Sequence, residues 1–139
     1  MVTVKRPTEN TDYLAARHIS ARQGNDYPFL CYKWDTWAKD PDISRENLWQ
    51  ANWERWDYHY RLFNPVKHPE PSSGTCAIYS VVERWNPDVI GLIGFDYVLD
   101  NNTNWFHDAR AELDSILSLV RIIDLRDGSE IYNERRKPC

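Results

Sequence analysis

The strongest constraint on the fold is a run of aromatic residues at helical spacing within residues 44–63. Its rings recur at steps of four, three, four and three residues, which places them on one face of an α-helix. These rings are Trp49, Trp53, Trp56, Tyr60 and Phe63. Asp42 or Ser44 is a candidate N-cap, and Asn64 followed by Pro65 is expected to end the helix. We predict a helix over 44–63 whose aromatic face packs as core against a sheet.

The chain has 139 residues, of which 14% are aromatic, and a formal net charge of −4. This length predicts one domain over residues 1–139, with a frayed tail at 133–139, that buries a core without a metal or a disulfide. The aromatic content excludes a disordered or collagen-like chain. No apolar stretch approaches the length of a membrane span, and the acidic balance argues against nucleic-acid binding. We expect neither a membrane nor a nucleic acid as partner.

The number and spacing of the cysteines indicate the cellular compartment. Cys31, Cys76 and Cys139 are odd in number and contain no Cys-x-x-Cys pair, unlike the disulfide framework of a secreted protein. No set of Cys and His residues has the spacing of a zinc site. The first ten residues lack the apolar core of a signal peptide. We expect a cytoplasmic protein with free thiols and no metal.

Residues 2–43 are predicted to hold a strand, a helix and a loop. Val2 and Val4 alternate with polar residues, which predicts a strand over 2–6. Thr8 is a candidate cap for an amphipathic helix that ends near Gly24. The loop that follows, residues 24–43, is rich in rings, and we expect it to form a pocket wall or a partner-binding surface. Its candidate binding residues are Tyr27, Phe29, Tyr32, Trp34 and Trp37.

The middle of the chain predicts a hairpin. Residues 64–74 contain three prolines and a glycine, which is typical of a connector. Residues 75–85 and 89–99 are rich in Val, Ile and aromatic residues, and this composition favours strands. The Asn-Pro-Asp sequence at 86–88 between them is turn chemistry. We therefore predict an α+β fold in which the aromatic helix packs on a central antiparallel hairpin.

Residues 105–121 fit two secondary structures. Their apolar residues recur at helical spacing behind Asp108, a candidate cap, but a part of the segment also alternates like a strand. We favour the helix. Residues 119–125 and 130–132 then form a small hairpin, since the Asp-Gly pair within 126–129 is a turn signal.

No common catalytic motif for nucleotide, zinc-protease or serine-hydrolase chemistry occurs in the sequence. Glu112 and Asp114 lie two residues apart on the predicted helix, so they do not face each other, and we expect both to be solvated. His107 beside Asp108 has the composition of a base oriented by an acid, but the cap explains Asp108 better. Cys76 has no histidine partner in the pattern and is expected to be a buried thiol.

The order of elements resembles that of the GCN5-related N-acetyltransferases. The opening VTVKRPTENTDYLAARHI is similar to the family's short strand ending in Arg-Pro, followed by an acidic helix. The predicted hairpin SVVERWNPDVIGLIGFDYV is similar to the family's central hairpin, and the aromatic helix lies between the two. The resemblance covers residues 2–99 and implies an acetyltransferase-like fold.

The family's catalytic strand and acetyl-CoA loop correspond to the last third of this chain. The resemblance implies Glu112 as the general base and Arg126, Gly128 and Ser129 as the remnant of the loop that binds the pyrophosphate of acetyl-CoA. The loop's second glycine and the sequence for the helix that follows it are missing. The resemblance therefore implies a truncated or repurposed member that binds no cofactor.

Three functions remain open at this point. The first is a non-catalytic binding, accessory or assembly protein, of the kind also found among viral proteins, that acts through contacts with a protein partner. The second is an N-acetyltransferase with a shortened acetyl-CoA site. The third is a nucleotide or nucleic-acid binder that stacks bases on its rings. We prefer the first, because the cofactor loop is incomplete and the aromatic residues are concentrated in one loop and one helix.

Overall fold

The structure is a computed structural model that describes residues 1–5, 12–18, 28–33, 48–65, 70–100 and 107–132. These residues form seven strands and four helices, and the mixed α+β class predicted from the sequence is confirmed. The strands are β1 Val2–Val4, β2 Leu14–His18, β3 Phe29–Lys33, β4 Leu48–Gln50, β5 Val89–Leu92, β6 Arg121–Asp124 and β7 Ser129–Ile131. The helices are α1 Trp53–Arg61, α2 Ser73–Trp85, α3 Asp96–Leu99 and α4 Ala109–Leu117.

The strands form two sheets. The first has the order β1-β5-β6-β7, in which only β7 is antiparallel to its neighbour. Its register aligns Val2, Ile90, Ile122 and Ile131 in one row, so apolar side chains occupy equivalent positions across the sheet. The second sheet has the order β2-β3-β4 and is parallel throughout.

Helix α2 is the centre of the molecule. Eight successive residues, Thr75–Val82, are buried, which is typical of a helix enclosed on all sides. The Ser72 side chain accepts a hydrogen bond from the backbone of Thr75 at the start of the helix. Asn86 ends it in the left-handed conformation, with a φ of 43°.

The predicted central hairpin is wrong. Residues 75–85 lie in helix α2 and not in a strand. The sequence did not reveal the helix, because a segment that is buried on all faces shows neither the helical nor the strand period. Only Val89–Leu92 of the second predicted strand is a strand, and it pairs in parallel with β1 and β6. Residues 96–99 form α3. The resemblance to acetyltransferases relied in part on this hairpin. The resemblance itself stays a prediction.

The aromatic stripe is core, as predicted, but the helix that carries it is shorter. Helix α1 begins after Asn52, whose side chain accepts a hydrogen bond from Arg55, and Trp49 lies on β4 instead. Trp56 and Tyr60 are buried, whereas Trp49, Trp53 and Phe63 are partly buried against the same core. The Trp56 ring stacks on Tyr79 of α2 with centroids 5.2 Å apart, so the stripe packs against a helix rather than a hairpin.

The strand predicted over 2–6 is present as β1, but the other two predictions for the start of the chain differ from the structure. Residues 14–18 are strand β2 rather than part of a helix, and 29–33 are strand β3 rather than a loop. Parallel pairing explains both, because Leu14 lies opposite Phe29, and Phe29 lies opposite Leu48. These partners are distant in sequence, and tertiary pairing overrides the local pattern.

The C-terminal predictions are confirmed. Helix α4 forms within 105–121, and the Asp108 carboxylate accepts a hydrogen bond from the Ala111 backbone at 3.0 Å. The small hairpin is present as β6 and β7. The tail predicted to fray, 133–139, lies outside the described residues. None of the helices in the described part of the chain is long and apolar enough to cross a membrane.

Candidate functional site

Glu112 is fully buried on α4, so the expectation that it would be solvated is wrong. Its Oε1 atom accepts a hydrogen bond from the Ser72 backbone N–H at 2.8 Å and another from the Ser72 hydroxyl at 2.6 Å. Ser72 is the N-cap of α2, where backbone N–H groups lack partners within the helix. The carboxylate therefore fastens the first turn of α2 to α4. Asp114, by contrast, is partly exposed and pairs with Arg110.

The second carboxylate oxygen of Glu112 is enclosed but accepts no hydrogen bond within the described residues. The Nδ1 atom of His107 lies 4.0 Å from Glu112 Oε2. The same Nδ1 atom is 3.1 Å from the backbone oxygen of Glu70, to which a protonated Nδ1 donates a hydrogen bond. Glu112, Ser72 and His107 thus form a buried cluster with one unsatisfied acceptor.

The segment 70–72 connects this cluster to the second sheet. Arg17 of β2 donates a hydrogen bond to the backbone oxygen of Pro71 at 3.1 Å. Lys33 of β3 forms an ion pair with Glu70 at 3.0 Å. Strands β2 and β3 and helices α2 and α4 therefore all contact the three residues 70–72. The polar groups of this segment have partners within the fold.

A second group of buried polar residues extends from the cluster along α4. The Tyr79 hydroxyl lies 2.5 Å from the Ser115 hydroxyl, which donates to the backbone oxygen of Glu112. Burial raises the pKa of Tyr79 and of the Cys76 thiol. Cys76 is fully buried, as the sequence predicted, and its thiol donates to the Pro71 oxygen. A thiol held protonated in this way is a poor nucleophile.

The predicted cofactor residues Arg126, Gly128 and Ser129 lie together in the turn between β6 and β7. The Arg126 guanidinium donates to both carboxylate oxygens of Asp100 at 2.9 Å. It also donates to Asp124, which is almost fully buried, at 2.7 Å. Hydrogen bonds from Arg126 lower the pKa of both aspartates.

The other two residues of this turn have local roles. Gly128 has a φ of +78°, which suits glycine in a hairpin turn. The Ser129 hydroxyl donates to Asp127 at 2.7 Å. No hydrogen bond or ion pair between described residues joins this turn to Glu112. The predicted base and the predicted cofactor residues are therefore held in separate clusters.

The predicted aromatic binding surface is only partly described. Phe29 and Tyr32 of β3 are buried in two different apolar clusters, with exposed fractions of 2% and 0%. The Tyr32 hydroxyl donates to Asp57, and burial raises its pKa. Tyr27, Trp34 and Trp37 lie outside the described residues.

An aromatic surface that the sequence did not indicate lies at the end of α2. The rings of Tyr13 and Trp85 meet edge to face with centroids 4.8 Å apart, and their exposed fractions are 44% and 38%. The Arg84 guanidinium lies 5.9 Å from the Trp85 ring centroid and 6.0 Å from that of Trp49. We call Tyr13, Trp49, Arg84 and Trp85 the Trp85 surface. No local pattern predicts it, because the residue before β2, strand β4 and helix α2 supply it jointly.

A cavity of about 450 Å³ lies at the end of the first sheet where β5 and β6 begin. Asp88, Leu117 and Tyr132 are among the residues that line it. Its two other charged groups, Arg121 and Glu130, form an ion pair with each other. With apolar residues, the Arg121–Glu130 ion pair and Asp88 together in its lining, the cavity does not define one ligand chemistry.

Within the described ranges, no three His, Cys, Asp or Glu side chains are arranged to hold a metal ion. Comparison of the chain with protein-family models, with curated proteins and with solved structures gave no match. The function must therefore be argued from the site alone.

Proposed function

We propose that this protein is a non-catalytic binding protein that acts through contacts with a protein partner. The main support for the proposal is that the Arg126 guanidinium already donates its hydrogen bonds to carboxylates of the chain itself. A guanidinium that binds the pyrophosphate of acetyl-CoA must direct its N–H donors at the ligand. Here those donors are directed at Asp100 and Asp124, so a phosphate would have to displace two aspartates that already neutralise the cation.

The surroundings of Glu112 support the same proposal. A general base must reach the proton that it removes, either directly or through one water. The Glu112 side chain has no exposed surface, and its Oε1 atom already accepts two hydrogen bonds from Ser72. Its role is to link α4 to the N-terminus of α2 by buried hydrogen bonds, and not to remove a proton from a substrate.

The Trp85 surface supplies the positive argument for binding. Trp, Tyr and Arg are the residue types that contribute most to the binding energy of protein interfaces. All three occur together here, with rings that are more than a third exposed on Tyr13 and Trp85. The proposal includes a reducing, cytoplasmic setting, which is supported by the free, buried thiol of Cys76.

Thermal unfolding with and without acetyl-CoA tests this proposal against the acetyltransferase alternative. A ligand that binds the folded state at 100 times its Kd stabilises by about 2.7 kcal/mol, which raises Tm by several degrees. We expect no shift with saturating acetyl-CoA. A rise of several degrees that is lost in Arg126→Ala, and kept in the matched surface variant Arg121→Ala, would overturn the proposal.

Tryptophan fluorescence tests the base-stacking alternative. Stacking of bases on exposed indoles quenches their emission, and binding to nucleic acid is strongest at low salt. We expect the emission to stay unchanged when single-stranded oligonucleotides are added in low-salt buffer. Saturable quenching that weakens as salt is added would replace the protein partner by a nucleic acid.

A further inference from the structure

His107 and Glu112 are two buried ionisable side chains that lie close together. The His107 side chain is 7% exposed, and the Glu112 side chain is 0% exposed. Glu112 Oε1 accepts two hydrogen bonds from Ser72, whereas Oε2 accepts none from the described residues. A buried carboxylate is costly unless a cation or further donors balance its charge. The imidazole 4.0 Å from Oε2 supplies that positive charge when it is protonated.

Protonation charges the His107 ring without breaking its contact with the segment 70–72. The Nδ1 atom lies 3.1 Å from the backbone oxygen of Glu70, so a proton on Nδ1 is held by that carbonyl. A second proton then goes to Nε2, and the ring becomes a cation while its hydrogen bond to Glu70 remains. Histidine is the side chain whose charge ordinarily changes between pH 5 and pH 8. Acidification therefore changes the charge balance beside Glu112.

The other ionisable side chains that act electrostatically on Glu112 are neutral. They are Tyr60 of α1 and Tyr79 and Cys76 of α2. Burial raises the pKa of Tyr60 to about 12 and also raises the pKa of Tyr79 and of Cys76. The charged side chains at the segment 70–72 and beside His107 are Arg17, Lys33, Glu70 and Asp108. Among all these residue types, histidine is the one whose charge ordinarily changes near neutral pH.

We infer that His107 and Glu112 form a pH-sensitive latch, which holds residues 70–72 more firmly when the histidine is protonated. The latch acts on this segment because Glu70 accepts a hydrogen bond from His107 and Ser72 donates to Glu112. The same three residues contact strands β2 and β3, so the latch sets how firmly the second sheet is joined to α2 and α4. It is independent of the proposed partner, since it lies within the fold of one chain.

The direction of the pH effect follows from the charges. At acidic pH the protonated ring faces the buried carboxylate, and the pair stabilises the folded chain. As pH rises and the ring becomes neutral, the carboxylate loses this cation, and the contribution of the pair to stability is lost. The latch is therefore closed on the acidic side of neutrality and loosened on the alkaline side.

A double-mutant cycle followed against pH tests the latch. Urea unfolding of the wild-type chain, His107→Gln, Glu112→Gln and the double variant gives the coupling between the two side chains. Both substitutions keep a polar side chain and remove an ionisable group. We expect the coupling to change the unfolding equilibrium constant at least about tenfold near about pH 5.5 and less than about twofold near about pH 8.5.

His59→Gln is the matched control for the loss of a histidine. The His59 ring donates to the backbone oxygen of Ser115 on the same helix α4, but it forms no ion pair with a carboxylate in the described ranges. Its coupling to Glu112→Gln should not change with pH. A coupling between His107 and Glu112 that is equal at both pH values, or a pH-dependent coupling that His59→Gln reproduces, would overturn the latch.

Amide hydrogen exchange of the wild-type chain decides the matter even where a variant fails to fold. The Ser72 amide donates to Glu112, and the Leu125 amide, which donates to the Leu92 oxygen in the first sheet, is the reference. Corrected for intrinsic exchange, the protection of Ser72 relative to Leu125 should fall at least about threefold between about pH 5.5 and about pH 7.5. A ratio that stays constant, or rises, would refute the latch.

Discussion

Ser72 donates two hydrogen bonds to a single carboxylate oxygen of Glu112, one from its backbone N–H and one from its hydroxyl. Both residues are buried, so neither bond is readily replaced by water. A buried donor that loses its acceptor costs the full desolvation penalty of that group. This pair therefore determines how firmly the first turn of the central helix α2 is held against α4.

The first prediction concerns this pair. Glu112→Ala leaves the Ser72 N–H without an acceptor and opens a cavity, and we expect it to lower the free energy of unfolding by about 2–4 kcal/mol. Glu112→Gln keeps a carbonyl acceptor and removes the buried charge, so its effect should be less than half as large. Urea denaturation measures both. Equal losses for the two variants would contradict the role assigned to the Oε1 acceptor.

The second prediction concerns acid stability. Hydrogen bonds from Arg126 lower the pKa of Asp124 below its ordinary value of 3.8 in the folded state. A depressed folded pKa stabilises the fold above the unfolded pKa, and this contribution is lost as pH falls through the folded pKa. Arg126→Ala should therefore be less stable than wild type near neutral pH, with the difference shrinking below pH 3.8. A difference that is constant from neutral pH to pH 2 would contradict this mechanism.

The third prediction concerns the aromatic core. Trp56 is 1% exposed and stacks on Tyr79, so Trp56→Ala is expected to cost about 3–5 kcal/mol of unfolding free energy. Tyr58 lies on the same helix but is 69% exposed. Tyr58→Ala is the matched control and should cost less than about 1 kcal/mol. If thermal unfolding showed similar losses for both variants, α1 would not bury the face described here.

The fourth prediction concerns the thiols. Cys31 and Cys76 are both fully buried, and burial raises the pKa of the Cys76 thiol. In a Cys139→Ser variant, we expect neither remaining thiol to react with Ellman's reagent in the native protein, even at mildly alkaline pH. Both should react at once in denaturant. Rapid reaction of one thiol under native conditions would show that its burial is incomplete.

Local sequence patterns predicted the secondary structure correctly where residues that contact each other in the fold are also close in sequence. Helix α4, its Asp108 cap and the β6–β7 hairpin were predicted, because each depends on contacts within a few residues. Helix α2 was mistaken for a strand, because a helix buried on every face has no polar stripe to reveal its period. Strands β2 and β3 were missed, since their pairing partners are distant in sequence.

The candidate site shows the same division. Glu112 was named through a resemblance, but its burial depends on Ser72, forty positions earlier, and no local pattern reports that contact. Arg126 was predicted to bind an anion, whereas its anions are aspartates of the chain itself, one of them supplied by the loop after α3. The Tyr13–Trp85 contact joins the start of a strand to the end of a helix, and only the assembled fold brings the two rings together.

Strand β1 pairs in parallel with β5, so that Val2 lies opposite Ile90. The ribosome delivers β1 long before its neighbour, with the whole second sheet and two helices synthesised in between. Closing so long a loop slows folding more than local contacts do. Strand β1 therefore cannot dock until β5 has been synthesised, and the first sheet is completed only once β6 and β7 have followed.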